Sequence, residues 1–184
     1  MSERLFHLSF CPEFLTPDEC RVLRELIDAH SHPAKLDTGG EEYRKASSAD
    51  LNQLNHPLVL DVERRIAFLL MIPQERCEGL QGQRYEKGEY YVPHWDAFHL
   101  GTLEHRRHVT GRGQRTWTGM IYLNEVEDGG ETTFPEISVG IVPRAGLAVM
   151  WHNLGNEQRP HPLALHGGAP VLRGSKYIVT AWFR

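Results

Sequence analysis

The chain has 184 residues, enough for one domain that buries roughly two thirds of its unfolded surface, so neither a disulfide framework nor a second domain is required. A formal charge of -4, with 24% charged residues of both signs interspersed, offers no basic stripe for a phosphate backbone and argues against a nucleic-acid partner. Cys11, Cys20 and Cys77 are odd in number and unpaired in spacing, and MSERLFHLSF lacks a signal-peptide apolar run, which together suit a reduced, cytoplasmic protein.

Residues 1–79 are expected to be mostly helical. Thr16-Pro17-Asp18-Glu19 supplies an N-cap, a proline at the first helical position and an acid at the third, ahead of Val22, Leu23, Leu26 and Ile27 at helical spacing. A polar stretch from Ser31 to Asp50 reads as a loop. A second helix is expected from Pro57 to Met71, its apolar stripe being Leu58, Val62, Ile66, Leu69 and Leu70, and Pro73 stops it. The apolar run Ile66–Ile72 is too short to span a bilayer, so no membrane partner is expected.

From residue 80 the pattern changes to short runs rich in Tyr, Val, Ile, Thr and Trp, broken by Gly, Pro and Asn. Strands are expected at Gln81–Glu86, Tyr90–Trp95, Thr116–Leu123, Leu147–His152, Pro162–Leu165 and Lys176–Phe183, with a turn at Asp128-Gly129-Gly130. Phe98 to Gln114, with three His, three Arg and three Gly, reads as a lid or rim loop. The expected fold is mainly β, a jelly roll over residues 80–184 packed against N-terminal helices, in a single domain spanning 1–184.

The chemistry concentrates at His94-Trp95-Asp96. Alternation along a strand puts His94 and Asp96 on one face and Trp95 on the other. A second His from a distant strand would complete the two-His-one-carboxylate set that leaves neighbouring positions open on a non-haem Fe(II). His152, His161 and His166 compete for that place. Lys176, ten residues after His166, needs a partner if it is buried, because an unpaired ammonium away from water is costly. The far carboxylate of a 2-oxo acid would be one.

Further motifs follow in order: Arg84-Tyr85 with Gly88, Tyr91-Val92-Pro93-His94-Trp95-Asp96, Arg115 with Thr118 and Tyr122-Leu123, and Gly129-Gly130-Glu131-Thr132-Thr133-Phe134-Pro135. Pro143 with Gly146, Trp151 with Asn153-Leu154, and then His166, Pro170-Val171, Gly174, Lys176 and Trp182 complete the set. In these motifs residues 80–184 resemble the catalytic domain of the prolyl 4-hydroxylase branch of the 2-oxoglutarate/Fe(II) dioxygenases. The first part resembles the family more loosely, through the helix start and the Arg44/Ser47-Ser48 region.

The resemblance implies that His94, Asp96 and His166 are the catalytic iron ligands, and that Lys176 and Tyr85 bind 2-oxoglutarate, with Thr118 near this cosubstrate. Substrate contacts map by similarity to Glu78, Tyr91, Arg115 and Trp182. Strand alternation puts Tyr91 opposite His94, so that assignment requires a bulge near Pro93. The implied reaction hydroxylates a substrate C–H bond with O2 while 2-oxoglutarate goes to succinate and CO2, with ascorbate as an optional reductant. A prolyl residue in a peptide or protein is the implied target. Where the family commonly carries Trp-x-His, this chain has Trp182-Phe183-Arg184, and Arg184 could grip the carboxylate of a free amino acid or other small acid instead. A non-catalytic metal-binding jelly roll and a zinc hydrolase are the remaining alternatives.

Overall fold

The computed structural model describes residues 5–34 and 43–184. The long helices are α1 (Pro17–His30) and α2 (Pro57–Leu70), and a short α3 covers Leu103–Val109. In chain order the strands are β1 (Leu8–Cys11), β2 (His32–Pro33), β3 (Arg44–Lys45), β4 (Ser47–Asp50), β5 (Cys77–Tyr85), β6 (Tyr90–His94) and β7 (Trp117–Tyr122). There follow β8 (Asp128–Gly129), β9 (Thr132–Phe134), β10 (Val139–Ile141), β11 (Ala148–His152), β12 (His166–Gly168), β13 (Val171–Arg173) and β14 (Lys176–Phe183).

Helix α1 starts where its capping residues predict. Thr16 accepts from the backbone N–H of Glu19, and Glu19 accepts in return from that of Thr16. The same Glu19 pairs with Arg65 of α2 at 2.8 Å, and Arg65 also donates to the Phe14 carbonyl, so the cap fastens the two helices together. Helix α2 opens on Pro57, its preceding His56 accepting from the Leu58 N–H, and closes on Met71 in the left-handed region at φ 54°. Its buried stripe is Val59, Val62, Glu63, Ile66 and Ala67. Leu69, expected inside, is exposed, because the packed face is turned by one position relative to the expected one.

The strands form an antiparallel seven-stranded sheet, ordered β1-β11-β7-β14-β5-β4-β2, facing a five-stranded sheet, ordered β10-β9-β12-β6-β3. This is the double-stranded β-helix architecture. Alternation along β5, β7 and β14 divides their side chains between two cores. Leu80, Ile121, Val179, Ala181 and Phe183 face the helices, with Leu23, Ile27, Val62 and Ile66. Tyr85, Met120, Tyr122 and Ile178 face the smaller sheet, with Phe134, Val149 and Trp151. Gly82 lets α1 approach this closely, since a Cβ there would lie 2.4 Å from Ile27 Cγ1.

Several expectations are corrected. The N-terminal part also contributes strands: β1 closes one edge of the large sheet and β4 pairs with β5. The stretch expected as a loop from Ser31 to Asp50 holds β2, β3 and β4, and its middle, 35–42, lies outside the described residues. Pro162–Leu165 is not a strand. Pro162 begins a single 3-10 turn that His161 caps by accepting from the Leu163 N–H, and the strand starts at His166. Asp128 and Gly129 pair with β13 as a short strand, and 98–114 contains α3. Among the described residues no helix is long and apolar enough to cross a membrane.

Buried Glu63 links the helical layer to the large sheet by accepting from the Leu80 N–H at 2.9 Å. Burial raises its pKa, so the folded state holds this proton more tightly than the unfolded chain does. That contribution to stability is present at acid pH and is lost as pH rises through the raised value. Glu63→Gln keeps the accepting oxygen. Its melting temperature should exceed that of the parent by about 2–4 °C at pH 8 and converge with it near pH 4, as measured by calorimetry.

Candidate active site

The site lies between the sheets, in a cavity of about 580 Å³. Strands β6 and β12 bring its ligands together: His94 is directly opposite His166, whereas Tyr91 is opposite Gly168. Three steps on β6 therefore match two on β12, which is a bulge. The extra residue turns Tyr91 onto the face of His94, where the rings stack at 3.6 Å and 18°. The bulge that the sequence requires near Pro93 is thus present. Gly167 makes it possible, because a Cβ there would sit 2.9 Å from the Tyr91 carbonyl oxygen.

His94, Asp96 and His166 offer ligand atoms within 4.8 Å of one another. The two Nε2 atoms lie 3.8 and 3.7 Å from the Asp96 carboxylate oxygens. Each Nδ1 lies 2.9 Å from a carbonyl, Val92 O for His94 and Ala164 O for His166. A carbonyl can only accept, so each Nδ1 carries the proton and each Nε2 presents its lone pair to the centre. Burial, then the neighbouring His166, holds the His94 pKa well below its ordinary value, which keeps the imidazole neutral. Burial alone would raise the pKa of Asp96, but His166, His94, Arg115 and the Thr118 hydroxyl together bring it below the usual value. Two imidazole Nε2 atoms and one carboxylate converging on a single point fit a divalent metal.

Thr118 is placed differently from its expected position beside the cosubstrate. Its hydroxyl donates to Asp96 Oδ2 at 2.6 Å and accepts from Asn153 Nδ2 at 2.9 Å. Because Asn153 donates to it, the hydroxyl proton is committed to Asp96. Thr118 and Asn153 therefore orient a ligand from behind.

Lys176 and Tyr85 are register partners on β14 and β5 at one end of the cavity. The Lys176 ammonium lies 5.4 Å from the Tyr85 ring centroid and 5.5 Å from that of Tyr122. Burial lowers its pKa to about 7, opposed by the charge of Glu131. No carboxylate pairs with it directly among the described residues. A cation held this way, between two tyrosine rings in the same cavity as a metal-type triad, is arranged for an anionic ligand.

At the other end Arg115 and Trp182 both line the cavity, with the guanidinium 4.2 Å from the indole ring. Glu78 grips Arg115 through both carboxylate oxygens, at 2.6 and 2.8 Å, and lies behind the wall as its support. Arg184, expected as a substrate contact, does not line the cavity: its guanidinium faces Glu78 and two backbone carbonyls.

Between the two ends runs a polar ladder. Thr180 donates to Gln83 at 3.1 Å, and Gln83 donates to Gln81 at 2.8 Å. Counting back by twos from Tyr85 would have found both glutamines on its face. Arg44, a further wall residue, lies 4.9 Å from the Tyr91 ring, and nothing local to its polar stretch signals that position.

A model of the 2OG-Fe(II) oxygenase superfamily matches residues 80–184, which contain this whole triad and Lys176. The chain belongs to the 2OG-Fe(II) oxygenase superfamily. Among curated proteins it is 33% identical over 194 residues to probable prolyl 4-hydroxylase 3 of Arabidopsis thaliana, covering 92% of this chain and 66% of that one. Prolyl 4-hydroxylase 5 of the same organism is likewise 33% identical, covering 92% and 65%. The chain thus spans just under two thirds of the length of these relatives. A viral collagen prolyl hydroxylase from Paramecium Bursaria Chlorella virus-1, solved as a 2OG complex, has the same fold, with a TM-score of 0.73 at 23% identity and coverage of 95% and 94%. The donor set described above fits the Fe(II) of this family, and the lysine end fits 2-oxoglutarate.

Two outcomes test the geometry. Thr118→Val keeps the shape but removes the donor to Asp96, and should weaken metal binding by about 10- to 100-fold, with Thr118→Ser close to the parent, as read by Mn(II) titration. Because the ammonium of Lys176 ionises near pH 7, 2-oxoglutarate binding should be flat below pH 7 and weaken by about tenfold per unit above it. Calorimetry on Mn(II)-loaded protein would register the matching proton uptake. Lys176→Arg should flatten the profile.

Proposed function

We propose that this protein is a 2-oxoglutarate- and Fe(II)-dependent hydroxylase of prolyl residues in a peptide or protein. The single observation that carries the reading is Lys176, a buried cation facing the same cavity as the His94, Asp96 and His166 triad. A metal site alone has no use for it. When bound, Fe(II) and 2-oxoglutarate supply the oxidising chemistry with O2, releasing succinate and CO2. The residues hold and exclude. His94, Asp96 and His166 would hold the metal on one face, leaving positions toward the cavity free. Lys176 and Tyr85 would fix the distal carboxylate of the cosubstrate and so set the direction of its 2-oxo end. Tyr91, Trp182 and Arg115 then form an aromatic and cationic wall against which a proline ring and its flanking carbonyls can lie.

The names of the relatives support a prolyl target, and the position of Arg184 favours it over a small acid, since that guanidinium is occupied within the protein. A reducing cytoplasmic setting is part of the proposal, supported by free Cys11, Cys20 and Cys77.

Turnover with Fe(II), 2-oxoglutarate and proline-containing peptides should give succinate together with a product 16 Da heavier at proline, about the mass of one oxygen atom. His94→Ala and Asp96→Ala should abolish both. Hydroxylation of free amino acids but of no peptide would overturn the proposed target. Metal binding without any 2-oxoglutarate turnover would overturn the enzyme assignment.

A further inference from the structure

Arg184 is almost fully buried, at 7% exposed, and its guanidinium bridges two sides. Nη1 donates to the carbonyls of His108 and Gly113, both at 2.5 Å, and Nε lies 2.9 Å from Glu78 Oε1. His108 belongs to the last turn of α3 and Gly113 to the loop leaving it. Carbonyls in a final helical turn lack intrahelical partners, so a cation placed there both satisfies them and complements the helix dipole.

Besides the Arg184 contacts, the His99 ring meets the Trp95 ring in an edge contact at 5.0 Å. Among the described residues the backbone hydrogen bonds of 99–113 close within the segment itself, as from Thr102 to His99, Arg112 to Val109 and Gly113 to Val109. Its base is clipped by Gln114, whose side chain accepts from the Phe98 N–H at 2.9 Å and donates to the Phe98 carbonyl at 2.7 Å. Arg184, just past β14 of the large sheet, holds it at two further points, the His108 carbonyl in the last turn of α3 and the Gly113 carbonyl beside the base. From this segment Glu104 and His108, one helical turn apart, line the cavity. Phe98 joins the two layers: its ring stacks on His108 at 5.0 Å and lies 5.1 Å from the guanidinium of Arg115.

We propose that Arg184 is a positioning residue for substrate. It holds α3 over the cavity mouth and, through Glu78, braces Arg115 against Trp182. The substrate then meets a wall that is already formed, and the ordering cost of building that wall is removed from binding. This role rests on the proposed peptide hydroxylation, but the tether itself can be measured without it. Lysine cannot replace the device: its ammonium can face Glu78, yet it lacks the planar fork that reaches a carboxylate and two carbonyls at once.

Hydrogen exchange and peptide kinetics on the full chain decide the matter. In the parent protein, loaded with Mn(II) and 2-oxoglutarate but without peptide, amides 99–113 should already be protected, with little further change when peptide is added. Free exchange of this segment in the parent would overturn the proposal, whatever becomes of any variant. In Arg184→Lys and Arg184→Gln these amides should exchange about tenfold faster or more. The KM for peptide should rise about tenfold, with kcat falling by less than about threefold and the KM for 2-oxoglutarate unmoved. A parallel rise in the 2-oxoglutarate KM, or wild-type peptide KM in both variants, would overturn it. If the parent hydroxylates no peptide, the functional reading fails while the exchange results still decide the tether.

Discussion

One extra residue in β6, opposite β12, governs where the chemistry sits. In regular pairing, a strand that aims His94 at the cavity would aim Tyr91 the other way, and the ring that backs His94 would be lost. The bulge separates these demands. It leaves His94 across from His166, with their rings 4.4 Å apart, and folds Tyr91 back over the first of them. Asp96, just past the strand end, then closes the set, and the hydroxyl that donates to it, Thr118 with Asn153 behind, comes from the opposite sheet. The metal-type site is thus a joint between two sheets, each supplying what the other lacks.

The cavity away from that joint is sorted by charge. One end holds a cation, Lys176, that has no directly paired carboxylate among the described residues and is arranged for an anion that arrives and leaves. At the other end the cavity-lining cation, Arg115, is already paired with Glu78, and Arg184 lies against the same carboxylate from outside the cavity. Burial sharpens the contrast, since an internal ion pair is weakly screened while a solitary ammonium loses much of its preference for the charged form.

Much of this was legible in the sequence because it depends on periodicity and on motifs. The helix start at Thr16 and the His94-Trp95-Asp96 spacing both report local geometry that the chain imposes on itself. The losses have a common physical origin. Strands β1 and β4 are short edge or near-edge segments whose pairing partners are distant in sequence, so no local pattern marks them. Thr118 is placed near the cosubstrate by resemblance, but what its hydroxyl touches depends on the depth at which Asp96 arrives from the other sheet. For Arg184 the residue type suggested a ligand for an acid, but the acid is Glu78 and the remaining donors meet backbone carbonyls, which carry no sequence signature at all.

Strands β5, β7 and β14 each serve two cores, with one set of alternate residues facing the helices and the other facing the cavity. Inserting or deleting a single residue in any of them would exchange the two sets downstream, delivering apolar core residues to the cavity and Lys176-type groups to the helix interface. The architecture therefore constrains how such a protein can change its substrate. Its central strands can vary only by replacement at fixed length, one face at a time. Freedom to lengthen or shorten belongs to segments such as 98–114, whose backbone bonds close on themselves. Divergence in specificity should accordingly be written as length variation around the mouth and as single-residue exchange within the walls.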